Sequence, residues 1–104
     1  MIFLVSSFSL QMVHEYPASL RVEEVSREEF KNGLKHGFYP AVGHKPTATL
    51  LSSLLGLCVP FRRVSVALSE GDQLFVAQYV GGRLPEGVTV LPEGSEFKYL
   101  RVEL

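Results

Sequence analysis

The chain contains a single cysteine, Cys58, and no tryptophan. One thiol cannot form an intrachain disulfide, and it cannot supply the several sulfur ligands of a cysteine-based metal cluster. Cys58 stands in the apolar stretch LGLCVP, and free cysteine is among the residue types most often found buried. The sequence therefore predicts a buried, unreactive thiol at this position.

Long apolar runs are also missing. The apolar start of the chain, MIFLV, covers five residues and has neither a basic segment before it nor a small-residue cleavage site after it. A membrane span needs about 18 consecutive apolar residues, and a secretory signal needs those flanking features. We therefore expect a protein without a membrane anchor that resides in the cytoplasm, or in the host cytoplasm if a virus encodes it.

The third feature that the sequence lacks is a basic excess, because 10 Lys and Arg residues stand against 11 Asp and Glu residues, for a formal net charge of −1. Proteins that neutralise many phosphates of duplex DNA are usually basic. Duplex DNA is therefore not an expected partner, although a local basic pocket for a small anion remains compatible with this balance. The 104 residues, 46% of them hydrophobic, suit one folded domain over residues 1–104.

The pattern of apolar residues predicts an α/β fold. Short apolar or alternating stretches predict strands at residues 2–5, 20–25, 38–42 and 96–104. A hairpin is predicted from RRVSVALSEGDQLFVAQYV, with its turn at SEGD. Two helices are predicted between the strands. Ser26 and Glu29 form a capping box before the first helix, which Gly37 ends, and Pro46 lies in the first turn of the second, which Gly56 ends.

This order of elements predicts a mixed β-sheet with the helices packed on one face. Two helices leave the other face uncovered, so we expect the protein to form a homodimer through that face. If the helical connections are ordinary crossovers, the return strand of the hairpin runs against the other strands. Arg83, which follows that strand, would then lie at the opposite sheet edge from His44 of the same chain. For the two residues to share a site, either one connection is not a simple crossover or Arg83 reaches the site from the partner subunit.

Three polar residues follow predicted strands, namely Ser9, His44 and Arg83. In open α/β sheets, ligands bind beyond the carboxyl ends of the strands. The helix that starts near Pro46 directs its N–H groups and the positive end of its dipole toward the same corner, which favours an anion. These residues alone indicate a possible anion site near His44, and a polar turn residue is the commoner role for a histidine at such a corner.

Four segments, SSFSLQM, AVGHKPTATLLSSLLG, RVSVAL and GRLPEG, resemble in order and spacing the ring nucleases that viruses use against type III CRISPR defence. Related enzymes of that family act as cellular regulators in bacteria. The resemblance implies a homodimer that binds cyclic tetra-adenylate and linearises it without a metal or another cofactor. It also implies attack by a 2′-hydroxyl, a histidine as general acid, and linear di-adenylate with a 2′,3′-cyclic phosphate as the product.

The resemblance carries functional roles onto individual residues by motif position. His44 matches the catalytic histidine of the family, and Glu86 matches the glutamate of its late loop. The positions that match substrate-binding residues of the family are Ser9, Gln11, Gly43, Arg63 and Arg83.

The sequence also departs from the family pattern. Ser6 and Gln11 stand where family members often carry asparagine, and Pro46 stands where a serine is common and removes one backbone N–H from the start of the helix. These departures leave open an alternative in which the protein binds the cyclic nucleotide and cuts it slowly or not at all. A second alternative is a small dimeric nucleic-acid-binding or regulatory protein, which the net charge of −1 disfavours.

Overall fold

Five β-strands and two α-helices follow one another along the chain in the computed structural model, which describes residues 1–104. The elements are β1 (Ile2–Val5), β2 (Arg21–Glu24), α1 (Arg27–Leu34), β3 (Tyr39–Pro40), α2 (Lys45–Leu55), β4 (Gln73–Val80) and β5 (Glu96–Glu103). A 3₁₀ turn at Leu10–Met12 lies between β1 and β2.

The strands form one mixed sheet in the order β2-β5-β4-β1-β3. β1 runs parallel to both β3 and β4, whereas β5 runs antiparallel to β4 and to β2. Four strands therefore point the same way and β5 alone opposes them, which confirms the predicted α/β fold on a mixed sheet. As a consequence, the carboxyl ends of β3, β1 and β4 adjoin at one edge of the sheet.

Both helices begin and end close to the predicted signals. The capping box forms, since the Glu29 N–H donates to Ser26 Oγ at 3.1 Å and the Ser26 N–H donates to Glu29 Oε1 at 3.2 Å. α1 ends earlier than expected, at Leu34, whose carbonyl accepts the N–H of Gly37 at 3.0 Å. α2 ends at Gly56, which adopts the left-handed conformation with φ of 64°. Neither helix has the length and apolar character that a membrane crossing requires.

Both helices pack on the same face of the sheet, as predicted. The capped first helix places Phe30 and Leu34 on this face, and the leucine-rich second helix adds its apolar stripe. A Cβ at Gly33 would collide with the ring of Phe75, so α1 approaches the sheet closely at a residue without a side chain. The buried residues that form this helix-side cluster include Leu4, Phe30, Leu34, Leu50, Leu51, Leu55, Phe75, Ala77 and Phe97.

The opposite face of the sheet, which we call the helix-free face, is partly covered by the chain itself. Val66 and Leu68, from the segment between α2 and β4, pack there against strand residues that include Val5, Leu74, Val76 and Val102. The expectation of an uncovered face therefore holds only in part. The strand residues that share this face by register and remain exposed are Val22 (56%), Tyr39 (55%) and Val80 (42%).

The prediction of a hairpin over residues 62–80 is wrong, because the first half of this segment does not form a strand. The Arg62 N–H donates to the Val42 carbonyl at 2.9 Å, and the Leu68 N–H donates to the Met12 carbonyl at 2.8 Å. This segment thus forms backbone hydrogen bonds with residues outside the strands, and it buries Val66 and Leu68 by lying over the helix-free face of the sheet. Alternation of apolar residues does not distinguish that arrangement from strand pairing. The predicted turn at residues 69–72 does form, and β4 follows it.

The prediction that Cys58 is buried is also wrong, because its side chain is exposed. The neighbouring residue, Val59, takes the buried position with 4% exposure. Ser52 of α2 fixes this arrangement, since its Oγ accepts the Val59 N–H at 3.0 Å. An apolar stretch predicts that some of its residues are buried, but the turn after Gly56 determines which of them face inward.

Candidate functional site

A cavity of about 570 Å³ opens at the carboxyl edge of the sheet, between the N-terminus of α2 and the loop that follows β4. Polar and charged side chains line much of it. The lining residues are His44, Pro46 and Thr47 at the start of α2, Tyr79 near the end of β4, and residues 82–86 of the loop. We refer to this cavity as the His44 pocket.

His44 is held at the rim of this pocket by the chain on both sides of it. Val42 is fully buried and forms a parallel bridge with Phe61. His44 itself has extended backbone, with φ of −132°, and is the N-cap residue of α2. Its side chain does not cap the helix backbone; instead, its Nδ1 lies 2.7 Å from Thr47 Oγ1. The imidazole is therefore placed at the surface of the pocket, with one of its two nitrogens engaged.

The first turn of α2 contributes a positive electrostatic potential to the pocket. The first N–H groups of a helix have no partner within the helix, and the aligned peptide dipoles place partial positive charge at that end. Pro46, in this first turn, contributes no N–H group. Lys45 and Thr47 retain theirs, so the start of this helix favours an anion such as a phosphate.

The loop after β4 is anchored by one apolar residue. Leu84 is buried, with 7% exposure, and joins the helix-side cluster. Arg83 and Glu86, which flank it, are exposed and line the pocket. The buried leucine thus fixes the loop against the core and presents a guanidinium and a carboxylate to the cavity.

His44, Arg83 and Glu86, three of the residues singled out from the sequence, line this one pocket within a single chain. The expectation that Arg83 lies at the opposite sheet edge is wrong. It depended on the predicted hairpin, whereas β4 runs parallel to β1 and β3, so the residues that follow β4 and β3 meet at the same edge. No contribution from a partner subunit is needed to bring Arg83 near His44.

Gly43 and Arg63 lie together beside the pocket but do not line it. A Cβ at Gly43 would stand 3.3 Å from Arg63 Cγ, so the aliphatic stem of the arginine passes over the glycine next to His44. The glycine leaves room for this close approach.

Ser9 and Gln11 belong to the turn after β1 and contact each other. Ser9 Oγ accepts the N–H of Gln11 at 3.2 Å, as the N-cap of the 3₁₀ turn. Both residues are exposed, and neither lines the His44 pocket. The single chain therefore does not bring these two predicted substrate-binding residues together with His44.

Two further residues of the pocket were not predicted. Thr47 is 4% exposed, and its hydroxyl meets His44. The three-residue spacing from the N-cap places the two side chains within one turn, so this contact could have been read from the sequence. The Tyr79 hydroxyl is buried without a hydrogen-bond partner. No sequence signal indicates this, because it depends on how the later loop covers the end of β4.

The pocket thus combines an imidazole, a guanidinium, a carboxylate and a helix N-terminus. This combination can hold a phosphate group and exchange a proton with one of its oxygens. No group of three or more His, Cys, Asp or Glu side chains in the chain, the pocket included, is arranged to hold a metal ion.

Comparison with known proteins relates the whole chain to proteins of archaeal viruses. A family model described as STIV B116-like matches residues 2–104. The ORF117 protein of Acidianus two-tailed virus is 40% identical over 73 residues, which cover 67% of this chain and 62% of that relative, so the match spans less than two thirds of the relative's length. Protein 26 of Sulfolobus islandicus filamentous virus (isolate Iceland/Hveragerdi) is 29% identical over 91 residues, which cover 86% of this chain and 76% of the relative.

A solved structure is similar to this chain throughout its length. Protein B116 of Sulfolobus turreted icosahedral virus superposes with a TM-score of 0.85 at 26% sequence identity. The superposition covers 99% of this chain and 98% of B116.

Proposed function

This chain belongs to the STIV B116-like family, and we propose that it is a metal-independent ring nuclease that cleaves cyclic tetra-adenylate. The observation that carries the proposal is the His44 pocket, in which a proton donor, a cation and a carboxylate converge at a helix N-terminus. Removing this second messenger would end type III CRISPR signalling, which gives the activity an anti-CRISPR role.

The proposed reaction uses a nucleophile that the substrate already carries. The 2′-hydroxyl of one nucleotide attacks the adjacent phosphorus, a P–O bond forms, and the bond from phosphorus to the 5′-oxygen breaks. The enzyme must hold the three atoms in line, which is a matter of positioning. The products are a 2′,3′-cyclic phosphate and a 5′-hydroxyl, and no water is consumed.

Each charged group of the pocket has a defined task in this reaction. The departing 5′-oxygen is a poor leaving group, and His44 donates the proton that it needs. Arg83 and the first turn of α2 stabilise the charge on the non-bridging oxygens in the transition state. We assign to Glu86 the role of accepting the proton that the 2′-hydroxyl releases, because it supplies the carboxylate of the pocket lining.

We further propose that two subunits act on one ring. A twofold axis matches the symmetry of a four-nucleotide ring, so each His44 would cut one of two opposite bonds and release two molecules of linear di-adenylate. The helix-free face supports a dimer, because it leaves Val22, Tyr39 and Val80 at least 42% exposed.

The dimer is tested by light scattering. We expect a mass near twice 11.6 kDa at micromolar concentration. Val22→Asp should give a monomer, because Val22 lies opposite Val102 on the helix-free face and the substitution places a charge there. Val90→Asp is the matched control, since Val90 is also exposed and its loop neighbours Val88 and Leu91 pack against the helix-side cluster. A monomeric parent protein, or a Val22→Asp variant that remains a dimer, would show that this face does not form the interface.

The activity is tested with labelled cyclic tetra-adenylate in the presence of excess EDTA. We expect linear di-adenylate with a 2′,3′-cyclic phosphate, because the 2′-hydroxyl and the groups of the pocket suffice for the reaction. Cleavage that appears only when a divalent metal is added would contradict the metal-independent mechanism.

Binding assays with the same labelled ring and with duplex DNA separate the alternatives. Tight binding of the ring without cleavage would favour a sequestering protein, a reading that Pro46 supports because it removes one N–H group from the phosphate-binding turn. Binding of duplex DNA at physiological salt, without binding of the ring, would favour a nucleic-acid-binding role instead.

A further inference from the structure

The closest polar contact of His44 is with a buried side chain of its own helix. His44 Nδ1 lies 2.7 Å from Thr47 Oγ1, which is a short hydrogen bond. The histidine is exposed, whereas Thr47 is only 4% exposed. An exposed ring that would otherwise rotate in water is thus tied to a hydroxyl that is fixed in the protein interior.

Thr47 is a rigid anchor for this bond. Its β-branched side chain has few rotamers available in a helix. The backbone around it is also fixed, because the Ala48 N–H donates to the His44 carbonyl at 3.1 Å. The next turn is held in the core by Ala48, Leu50 and Leu51, which are almost fully buried. Movement of the hydroxyl relative to the pocket would therefore require movement of the whole start of α2.

We propose that Thr47 is a positioning residue that holds the His44 imidazole so that Nε2 is the nitrogen that acts on the substrate; this inference rests on the proposed function. The hydrogen bond that one ring nitrogen makes determines which nitrogen is available to a ligand. With Nδ1 engaged by Thr47, Nε2 is the nitrogen left for the leaving oxygen.

The same hydrogen bond serves before and after proton transfer. In the imidazolium form, Nδ1–H donates to Thr47 Oγ1 and Nε2–H faces the 5′-oxygen. When the bond from phosphorus to the 5′-oxygen breaks, the Nε2 proton passes to that oxygen and Nδ1 keeps its own proton. The contact with Thr47 is unchanged, so the ring does not have to reorient during the reaction.

Thr47→Val separates this role from packing. Valine has the shape of threonine without the hydroxyl, so the buried volume is preserved. The His44 nitrogen that loses its partner is on an exposed residue and can bond to water, so the fold should keep its stability. What the variant loses is the fixed direction of the imidazole.

We expect Thr47→Val to slow single-turnover cleavage of cyclic tetra-adenylate about tenfold. This is the loss expected if the unanchored imidazole directs Nε2 at the leaving oxygen about one tenth of the time. Equilibrium binding of the ring should be nearly unchanged. Thr47→Ser, which keeps the hydroxyl, should retain most of the rate. Thr49→Val is the matched control, because the Thr49 hydroxyl bonds to the Lys45 carbonyl and not to His44. Equal rates for Thr47→Val and the parent would overturn the proposal, as would equal losses in Thr47→Val and Thr47→Ser.

A second measurement does not depend on activity. The ¹⁵N NMR shifts of the neutral His44 ring report which nitrogen carries the proton. Thr47→Val should move them toward those of a free imidazole, and Thr47→Ser should not. If the parent protein fails to cut the ring, the proposed function fails, but a change in these shifts still shows that Thr47 directs His44. Unchanged shifts in Thr47→Val would overturn the inference even in an active enzyme.

Discussion

Replacement of His44 by alanine is expected to slow the cleavage of cyclic tetra-adenylate about 10²–10⁴-fold, the range usual for the loss of a general acid. Binding of the ring should fall far less. Arg83 and the first turn of α2 remain in place in this variant, and these groups hold the phosphates. The fold should also persist, because His44 is exposed and its backbone caps α2 without help from the side chain.

The two effects are resolved by single-turnover cleavage measured beside equilibrium binding of the same labelled ring. His36→Ala is the matched control, since His36 is exposed in the turn after α1 and lies outside the pocket; it should cut at the parental rate. If His44→Ala loses binding in step with cleavage, or cuts as well as the parent, His44 is not the general acid.

Arg83→Ala is expected to weaken both binding and cleavage. A hydrogen bond to a charged group is worth about 1.5–3 kcal/mol, which corresponds to roughly a 10- to 150-fold loss of affinity. The rate of the bound complex should fall as well, because the guanidinium also opposes the charge that develops in the transition state. Since Leu84 anchors the loop and Arg83 is exposed, the fold should be unaffected.

Binding and single-turnover rates again measure this prediction, with Arg62→Ala as the control, because Arg62 is exposed and does not line the pocket. Mixed dimers of His44→Ala and Arg83→Ala subunits test whether the two side chains act within one chain. We expect no recovery of activity, because neither pocket of the mixed dimer holds both residues. Recovery would show that Arg83 reaches the pocket of the partner subunit.

The elements that the sequence predicted well have short-range signals. The capping box of Ser26 and Glu29, the apolar run of β1 and the glycine that ends α2 each depend on residues within one or two turns. The strand predicted for the first half of the hairpin does not form, although Val64, Val66 and Leu68 alternate as in a strand. Whether such a segment pairs at a sheet edge or lies over a sheet face depends on contacts far away in the sequence.

Because of the predicted hairpin, β4 is expected to run against the other strands, which would put Arg83 at the opposite sheet edge from His44. In the structure β4 runs parallel to β1. His44 itself was found because a helix start beside a strand end is visible locally. The gathering of Arg83 and Glu86 around it depends on the parallel pairing of β4 with β1, a long-range property that spacing does not encode.

The proposed proton transfer is tested most directly with cyclic tetra-adenylate in which sulfur replaces the 5′-bridging oxygens. Thiols, with pKa values of about 8.5, are far stronger acids than alcohols, so a thiolate leaves without being protonated. We expect His44→Ala to cleave this sulfur-substituted ring nearly as fast as the parent, although it cleaves the natural ring slowly. If His44→Ala instead slows cleavage of the sulfur-substituted ring by the same factor as cleavage of the natural ring, His44 is not the proton donor.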